Sequence, residues 1–304
     1  MKRAIRNRLE TGFSLMELMV SMLILLPLMG AAMSLFSVGA KQQAREQGGI
    51  DVNQEARTGM EMMTREIAQA GSHRDTKTTL NAQITGDSTE RSFAVASTVG
   101  FHPGDWVDID GESIQLTAVT SNSISGVFTQ DHDSGAEVRL FAFPFVVGVI
   151  PPAGLGANAS TTVTTLRFFG DINGDINSLS SDPNLSYVEY RYDSTNNQIT
   201  RSMTRLDQAS KSSAIPFIRN LASNSVQFTV STNDLGVITS VNISMTVQNY
   251  QSTVKGTHEQ TQLSSRVLIP SAVAGSALEH EYRKYGGVNK LPPTPSIVTT
   301  WASL

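Results

Sequence analysis

Length, composition and charge limit the classes of protein to which this chain can belong. Its 304 residues are enough for a membrane helix and one large or two modest globular units. A formal net charge of -4 gives no strong basic field for nucleic acid, apart from the short segment of residues 1–12. Because cysteine is absent, disulfide bonds and thiol catalysis are excluded, and core packing must stabilise any globular part.

The N-terminal region joins a basic segment to a long apolar one. Residues 1–12 carry four Lys or Arg side chains and one acid, a pattern that holds an N-terminus in the cytoplasm. The following apolar run exceeds the roughly 20 residues that cross a bilayer, whereas a secretory signal peptide has a shorter apolar core and a small-residue cleavage site. We therefore predict a transmembrane helix over residues 13–40.

Glu17 is the only charged side chain in residues 13–38. A charge at the centre of a membrane helix costs roughly 2.5–3.5 kcal/mol on insertion scales, so acids in such helices are usually functional. Glu17 is therefore a candidate functional residue.

The run Gly-Phe-Ser-Leu-Met-Glu at residues 12–17 resembles the prepilin cleavage and methylation signal of type IV pilins and type II secretion pseudopilins. The resemblance implies that residues 1–12 are a leader peptide, cut by prepilin peptidase between Gly12 and Phe13. Phe13 would then be the N-methylated terminus, and Glu17 would pair with a neighbouring subunit's amino terminus and set the assembly register. Such a pair stabilises two charges that are each costly alone in lipid. The alternative is an ordinary signal anchor with an isolated acid.

Pro27 lies inside the apolar segment. Because proline removes a helix hydrogen bond, we predict a helix kink there, with a bend or a melted turn over residues 23–27. Members of the pilin family often carry this proline somewhat later, so the chain departs from the family pattern at this position.

Beyond the anchor, apolar residues recur every three or four positions, which predicts an amphipathic helix over residues 41–71. They are Val52, Ala56, Met60, Met63, Ile67 and Ala70. Continuous with the anchor, this helix would form a rod of about 58 residues, about 87 Å long, whose second half lies on a globular head. The pair Gly48-Gly49 predicts a flexible joint, and Gly71 predicts the helix end. Residues 54–71 resemble the corresponding helix end of the PilW minor pilin family and of type II minor pseudopilins.

From Phe93 onward the apolar period changes to that of β-strands. Residues 105–116 alternate about Asp110-Gly111, which predicts a hairpin within a β insert or subdomain over residues 93–142. The apolar run of residues 142–150 predicts a buried strand.

Residues 143–273 are predicted to form a pilin-like β head, because several strand patterns follow one another there. The order of the patterns at residues 187–204, 218–230 and 263–269 resembles that of PilW-like pilins. Residues 274–304 contain glycine and proline pairs without periodicity, which predicts an extended tail. The predicted fold class is α+β and type IV pilin-like, with a long N-terminal α-helix packed on an antiparallel β-sheet head that carries a β insert.

Oxygen-bearing side chains in residues 171–182 have the spacing of a calcium-binding loop. The candidate ligands are Asp171, Asn173, Asp175 and Asp182, with a backbone carbonyl from Asn177. The arrangement resembles dockerin-type loops, although Ile176 stands where glycine is usual. The alternative is an Asx-rich turn between strands. Ca²⁺ is thus a candidate ion, and no cofactor is required.

Catalytic motifs are not evident. The histidines are scattered, nucleophile elbows and HExxH helices are absent, and the segment Asp131-His132-Asp133 with Glu137 is interpreted as a solvated loop rather than a metal cluster. We therefore predict a protein that is not an enzyme.

The resemblance implies a PilW-like minor pilin that takes part in the initiation, assembly or tip of a type IV pilus. Its implied partners are prepilin peptidase, other major and minor pilins, the inner-membrane assembly platform and membrane lipid, with no nucleic acid. It would first be a single-pass inner-membrane protein with a periplasmic head, and then part of the pilus fibre at the cell surface. The alternatives are a J-type minor pseudopilin of a type II secretion system, a membrane-anchored adhesin or binding module, and an anchored enzyme.

Overall fold

The structure is a computed structural model that describes residues 14–73, 76–141, 143–172, 185–252, 256–286 and 289–303. The helices within these residues are α1 (Leu15–Ala68), α2 (Pro270–Tyr285) and α3 (Ser296–Ser303). The strands are β1 (Lys77–Thr79), β2 (Glu90–Ala94), β3 (Trp106–Ile109), β4 (Glu112–Gln115), β5 (Ala118–Val119), β6 (Ser123–Val127), β7 (Glu137–Leu140), β8 (Ser160–Val163), β9 (Thr165–Gly170), β10 (Ser186–Asp193), β11 (Gln198–Arg205), β12 (Ile215–Ile218), β13 (Gln227–Thr232), β14 (Ile238–Ser252) and β15 (His258–Leu268).

Helix α1 is defined by its two ends. At the start, the Ser14 hydroxyl accepts a hydrogen bond from the Met16 amide, and the Glu17 carboxylate accepts one from the Ser14 amide, so a capping box satisfies amides that lack intrahelical partners. At the other end, Gln69 caps the helix, and Gly71 adopts a left-handed φ of 75°. This conformation suits glycine and reverses the chain.

The backbone of α1 is helical throughout, including at both positions where we predicted an interruption. A melted turn over residues 23–27 is therefore wrong, because the helix continues through Pro27. The backbone is also helical at Gly48-Gly49, where we predicted a flexible joint, and a close contact accounts for this pair. A Cβ on Gly48 would lie 2.7 Å from the Tyr250 hydroxyl oxygen, and the neighbouring Asn249 amide donates to the Arg45 carbonyl at 2.9 Å.

Two four-stranded antiparallel sheets form the larger β region. Their strand orders are β12-β11-β10-β9 and β15-β14-β13-β8. Only Thr164 separates β8 from β9, so the edge strands of the two sheets are consecutive in the chain. The C-terminal part of α1 contacts β12, β14 and β15 and shares one core with both sheets. A long, apolar N-terminal helix combined with antiparallel sheets confirms the α+β class.

The strand patterns predicted in this region are confirmed, and neighbouring strands pair in the antiparallel sense. The hairpin of β10 and β11 pairs Tyr187 with Thr204, and the long pair of β13 and β14 places Phe228 opposite Ile243. Strand β15 completes the second sheet against β14.

Residues 77–140 form a smaller β region with a separate core, which we call the insert. Its sheets have the orders β1-β7-β3-β4 and β2-β6-β5. The predicted hairpin is confirmed, because Ile109 pairs with Glu112 across a turn in which Asp110 and Gly111 both have positive φ, 50° and 88°. The insert therefore starts before the predicted Phe93, since β1 and β2 complete its sheets. Its core comprises Leu80, Ile84, Phe93, Val95, Phe101, Val107, Ile109, Ile114, Leu116, Ile124, Phe128, Val138 and Leu140.

The buried strand predicted for residues 142–150 is wrong. The described part of this segment is irregular and forms a single bridge, between Val149 and Phe168. It is nevertheless well anchored, because Phe145 is buried and its amide donates to the Gly71 carbonyl at 2.8 Å. Burial of isolated apolar side chains in an irregular segment produced a pattern that resembles a strand.

The extended tail predicted for residues 274–304 is also wrong, because α2 and α3 occupy much of it. Proline at the first position of α2 is compatible with a helix start, and Gly286 ends the helix in the left-handed conformation. Helix α3 is held by burial, since Val298 and Trp301 pack with Phe145, Phe169 and Tyr187. Tertiary contacts thus order a segment whose sequence lacks a strong helical pattern.

Candidate functional site

The N-terminal part of α1, residues 14–44, is exposed along its whole length, and we call it the anchor half. Leu23 is 74% exposed and Phe36 is 77% exposed. An 18-residue window of α1 has a mean hydropathy of 2.2 and no buried residue, so its length and composition suit a membrane span. Large contiguous apolar surfaces on soluble monomers are rare, and they are typical of membrane or protein interaction sites.

Glu17 lies in the first turn of the anchor half. Its Oε2 accepts the Ser14 amide at 3.2 Å, and an acid at a helix N-terminus is favoured by the helix dipole by about 0.3–1 kcal/mol. The carboxylate therefore lies at the end of the apolar segment that faces the chain terminus. Gly12 and Phe13, the predicted cleavage and methylation residues, lie outside the described residues, and their assignment stays a prediction.

The C-terminal part of α1, residues 48–68, packs on the sheets, and we call it the docked half. The six apolar residues named from the sequence period are all buried in the core, Met63 and Ile67 completely. Gly59 allows close approach, because a Cβ there would lie 2.6 Å from the Ile218 side chain. Helix α1 is thus fixed to the globular part by one half and leaves the other half uncovered.

A buried charge network fixes the docked half to β10 and β11. The Arg201 guanidinium donates to both carboxylate oxygens of Glu66, at 2.7 and 3.2 Å, and the Tyr190 hydroxyl donates to Glu66 at 2.7 Å. Burial and the adjacent Glu66 charge raise the pKa of Tyr190, so its phenol remains a neutral donor. The sequence analysis missed this network, although a charged Glu66 between Met63 and Ile67 on an apolar face is a detectable signal.

His73, His102 and Asp105 form a second cluster that sequence reasoning missed. One ligand atom from each lies within 4.8 Å of the others. His73 follows α1, whereas His102 and Asp105 lie in the loop between β2 and β3, so only the fold brings them together. Burial alone would raise the pKa of the Asp105 carboxyl, but the adjacent imidazoles of His102 and His73 outweigh it and hold that pKa below its ordinary value.

His132 is buried, which corrects the solvated loop predicted for residues 131–133. Its Nε2 lies 2.7 Å from Glu112, whose carboxylate also accepts the amide and hydroxyl of Thr129. Burial raises the pKa of Glu112, but these hydrogen bonds outweigh it and lower that pKa from its ordinary value of 4.5. These groups stabilise the interior of the insert, where the buried His132 and Glu112 are not accessible to a ligand.

The candidate calcium ligands cannot be assembled from the described residues. The Asp171 amide donates to the Ser72 carbonyl at 3.0 Å, which fixes the first residue of the loop near the end of α1. Asn173, Asp175, Asn177 and Asp182 lie outside the described residues. Calcium binding stays a prediction.

Comparisons of the chain with protein-family models, curated proteins and solved structures give no match.

Proposed function

We propose that this chain is a non-catalytic assembly subunit, a minor pilin of the PilW-like kind that takes part in initiating, assembling or capping a type IV pilus. The observation that carries the proposal is the division of α1 into a docked half, fixed in the core, and an anchor half that is apolar and exposed over residues 14–44. Such a helix can exchange lipid for the helices of neighbouring subunits without rearranging the head. This exchange is the mechanism we propose.

The proposed assembly pathway of the protein has two stages. The anchor half first holds the chain in the inner membrane with the head on the periplasmic side, and prepilin peptidase removes residues 1–12 on the cytoplasmic side. The subunit then joins other major and minor pilins at the assembly platform and enters the fibre. In both stages the uncovered apolar side chains remain out of water, which the hydrophobic effect favours by roughly 25 cal/mol per Å².

Glu17 provides the proposed register of assembly. Its described partner within the helix is the backbone amide of Ser14, so the carboxylate remains available to a neighbouring subunit's terminal ammonium. In a low-dielectric environment this pairing is selective, because an unpaired charge is costly there. A subunit whose helix is displaced along the fibre would lose the pair.

Replacement of Glu17 tests the proposal. Glu17→Ala should reduce the number of surface filaments counted by electron microscopy while the amount of protein in the membrane stays unchanged. The matched control is Glu46→Ala, since Glu46 is an exposed acid on the same helix whose described partner is Gln42. Normal filament numbers with Glu17→Ala, or equal loss with both variants, would contradict the proposal.

A further inference from the structure

The cluster of His73, His102 and Asp105 lies where the insert meets the end of α1. His73 belongs to the connection that leaves α1, and the other two residues belong to the insert. The side chains of His73 and Asp105 are each 2% exposed, and that of His102 is 21% exposed. The cluster is therefore nearly closed, with access along the His102 side.

The donor atoms already converge on a shared space. His73 Nε2 lies 3.3 Å from Asp105 Oδ1, and His102 Nδ1 lies 3.7 Å from Asp105 Oδ2. Two ligands of one tetrahedral zinc ion lie about 3.3 Å apart, given metal–nitrogen bonds of about 2.0–2.1 Å. A small movement of the imidazole rings would therefore complete the geometry.

One atom in this cluster lacks the partner that burial demands. His102 Nδ1 is buried and has no hydrogen-bond partner among the described residues. Buried polar atoms without a partner are rare, because the hydrogen bonds that they made to water in the unfolded chain are lost and not replaced. A bound cation would satisfy this nitrogen, which distinguishes the cluster from an ordinary ion pair between His73 and Asp105.

The surroundings hold these groups in position. The His102 backbone amide donates to Asp105 Oδ2 at 2.7 Å, and the His73 ring stacks on Phe145 with centroids 4.9 Å apart. On the C-terminal side, a Cβ on Gly104 would lie 2.4 Å from Pro293, so the segment before α3 covers the loop that carries the ligands. Such fixed outer contacts are typical of metal sites.

We propose that His73, His102 and Asp105 bind one divalent transition-metal ion of the zinc class, which ties the insert to the end of α1. Two imidazoles and one carboxylate are the donors that zinc prefers, whereas calcium and magnesium prefer oxygen. Water or a group of a neighbouring subunit occupies the fourth position. The ion orients the insert relative to α1, and this role is independent of the proposed pilus function.

Metal binding to the full chain in detergent micelles tests this site. We expect one Co²⁺ or Zn²⁺ per chain, with tetrahedral Co²⁺ absorption in the visible range. His73→Gln and His102→Gln should each weaken the affinity more than about tenfold, because even an outer contact of a metal site is typically worth 10–100-fold. The control is His280→Gln, since His280 and Asp234 form an exposed histidine–carboxylate pair at 3.2 Å. Circular dichroism of each metal-free variant checks its fold.

A second measurement on the unmodified chain avoids any folding defect of the variants. Diethylpyrocarbonate labelling followed by mass spectrometry should modify His102 and His280 in metal-free protein, and micromolar Zn²⁺ should protect His102 alone. Protection of His280 with no protection of His102 would identify an adventitious ion only and would overturn the site. The absence of Zn²⁺ binding, or unchanged affinity in His102→Gln, would overturn it equally.

Discussion

The two halves of α1 have the same secondary structure and opposite environments. In the anchor half the apolar residues surround the helix, and none of them is buried. In the docked half they form one stripe, and polar residues occupy the opposite face. Local helix propensity and the capping box at Ser14 therefore suffice to define the helix. The distribution of apolar residues around the helix decides what covers it. The change occurs at Gly48, the first buried residue of α1.

Replacement of one acid in each half by alanine should give the largest difference in the free energy of unfolding of the head. Glu66→Ala leaves Arg201 buried without its partner, and loss of one member of a buried ion pair costs about 3–5 kcal/mol. Glu17→Ala should leave the free energy of unfolding of the head unchanged, because Glu17 is exposed and distant from the core. Denaturant titration in detergent measures both variants. Equal losses would mean that the halves are not independent.

Shortening one methionine in each half gives the second comparison. Met63 is fully buried, so Met63→Ala should lower the free energy of unfolding by about 2–5 kcal/mol. Met22 is 59% exposed, and Met22→Ala should leave that free energy unchanged. The same titration checks this pair. A large effect of Met22→Ala would show that the anchor half packs on the head.

Addition of one methyl group to a glycine in each half should give a smaller difference with opposite signs. The new Cβ of Gly59→Ala would lie 2.6 Å from Ile218, and such overpacking costs about 1–3 kcal/mol. Gly39 has no such neighbour within 4 Å, so Gly39→Ala should only raise helix propensity, by up to about 1 kcal/mol. Thermal unfolding followed by circular dichroism would compare them. Stabilisation by Gly59→Ala would contradict the close contact.

Acid should destabilise the head. Burial raises the pKa of Glu189, but hydrogen bonds and charge from Lys211, followed by Arg167, outweigh burial and lower that pKa below its ordinary value of 4.5. The unfolded chain therefore takes up the proton first. The stabilisation is present above pH 4.5 and is lost as the pH falls through the lowered pKa.

In Glu189→Gln the stability of the head should accordingly fall less steeply with pH between about pH 5 and pH 3. Denaturant midpoints across this range provide the measurement. The matched control is Asp133→Asn, because Asp133 is an exposed acid in the insert. If the slope of head stability against pH is unchanged in Glu189→Gln, this carboxylate does not contribute to the loss of stability in acid.

The sequence predicts α1, the α+β class and the main hairpins because each depends on local periodicity. The stripe from Val52 to Ala70 and the Asp110-Gly111 turn are visible without any tertiary information. Helices α2 and α3 are not. In α2 the buried positions are small residues such as Ala272, Gly275 and Ser276, whose close approach to neighbours gives no apolar stripe.

The candidate sites also differ in whether their residues are adjacent in the sequence. The motif around Glu17 is continuous in sequence, so it can be recognised directly. The network of Glu66, Tyr190 and Arg201 and the cluster around His73 join residues that are far apart in the chain. These sites can be identified only when the strand registers and the position of the loop between β2 and β3 are known. The periodicity of the sequence does not give this information.

Mass spectrometry of the N-terminus of the mature protein tests the central proposal most directly. We expect residues 1–12 to be absent and the chain to begin with an N-methylated Phe13, which leaves the whole anchor half on the subunit. An intact Met1, or a terminus beyond Val38, would contradict the assembly role proposed for the anchor half.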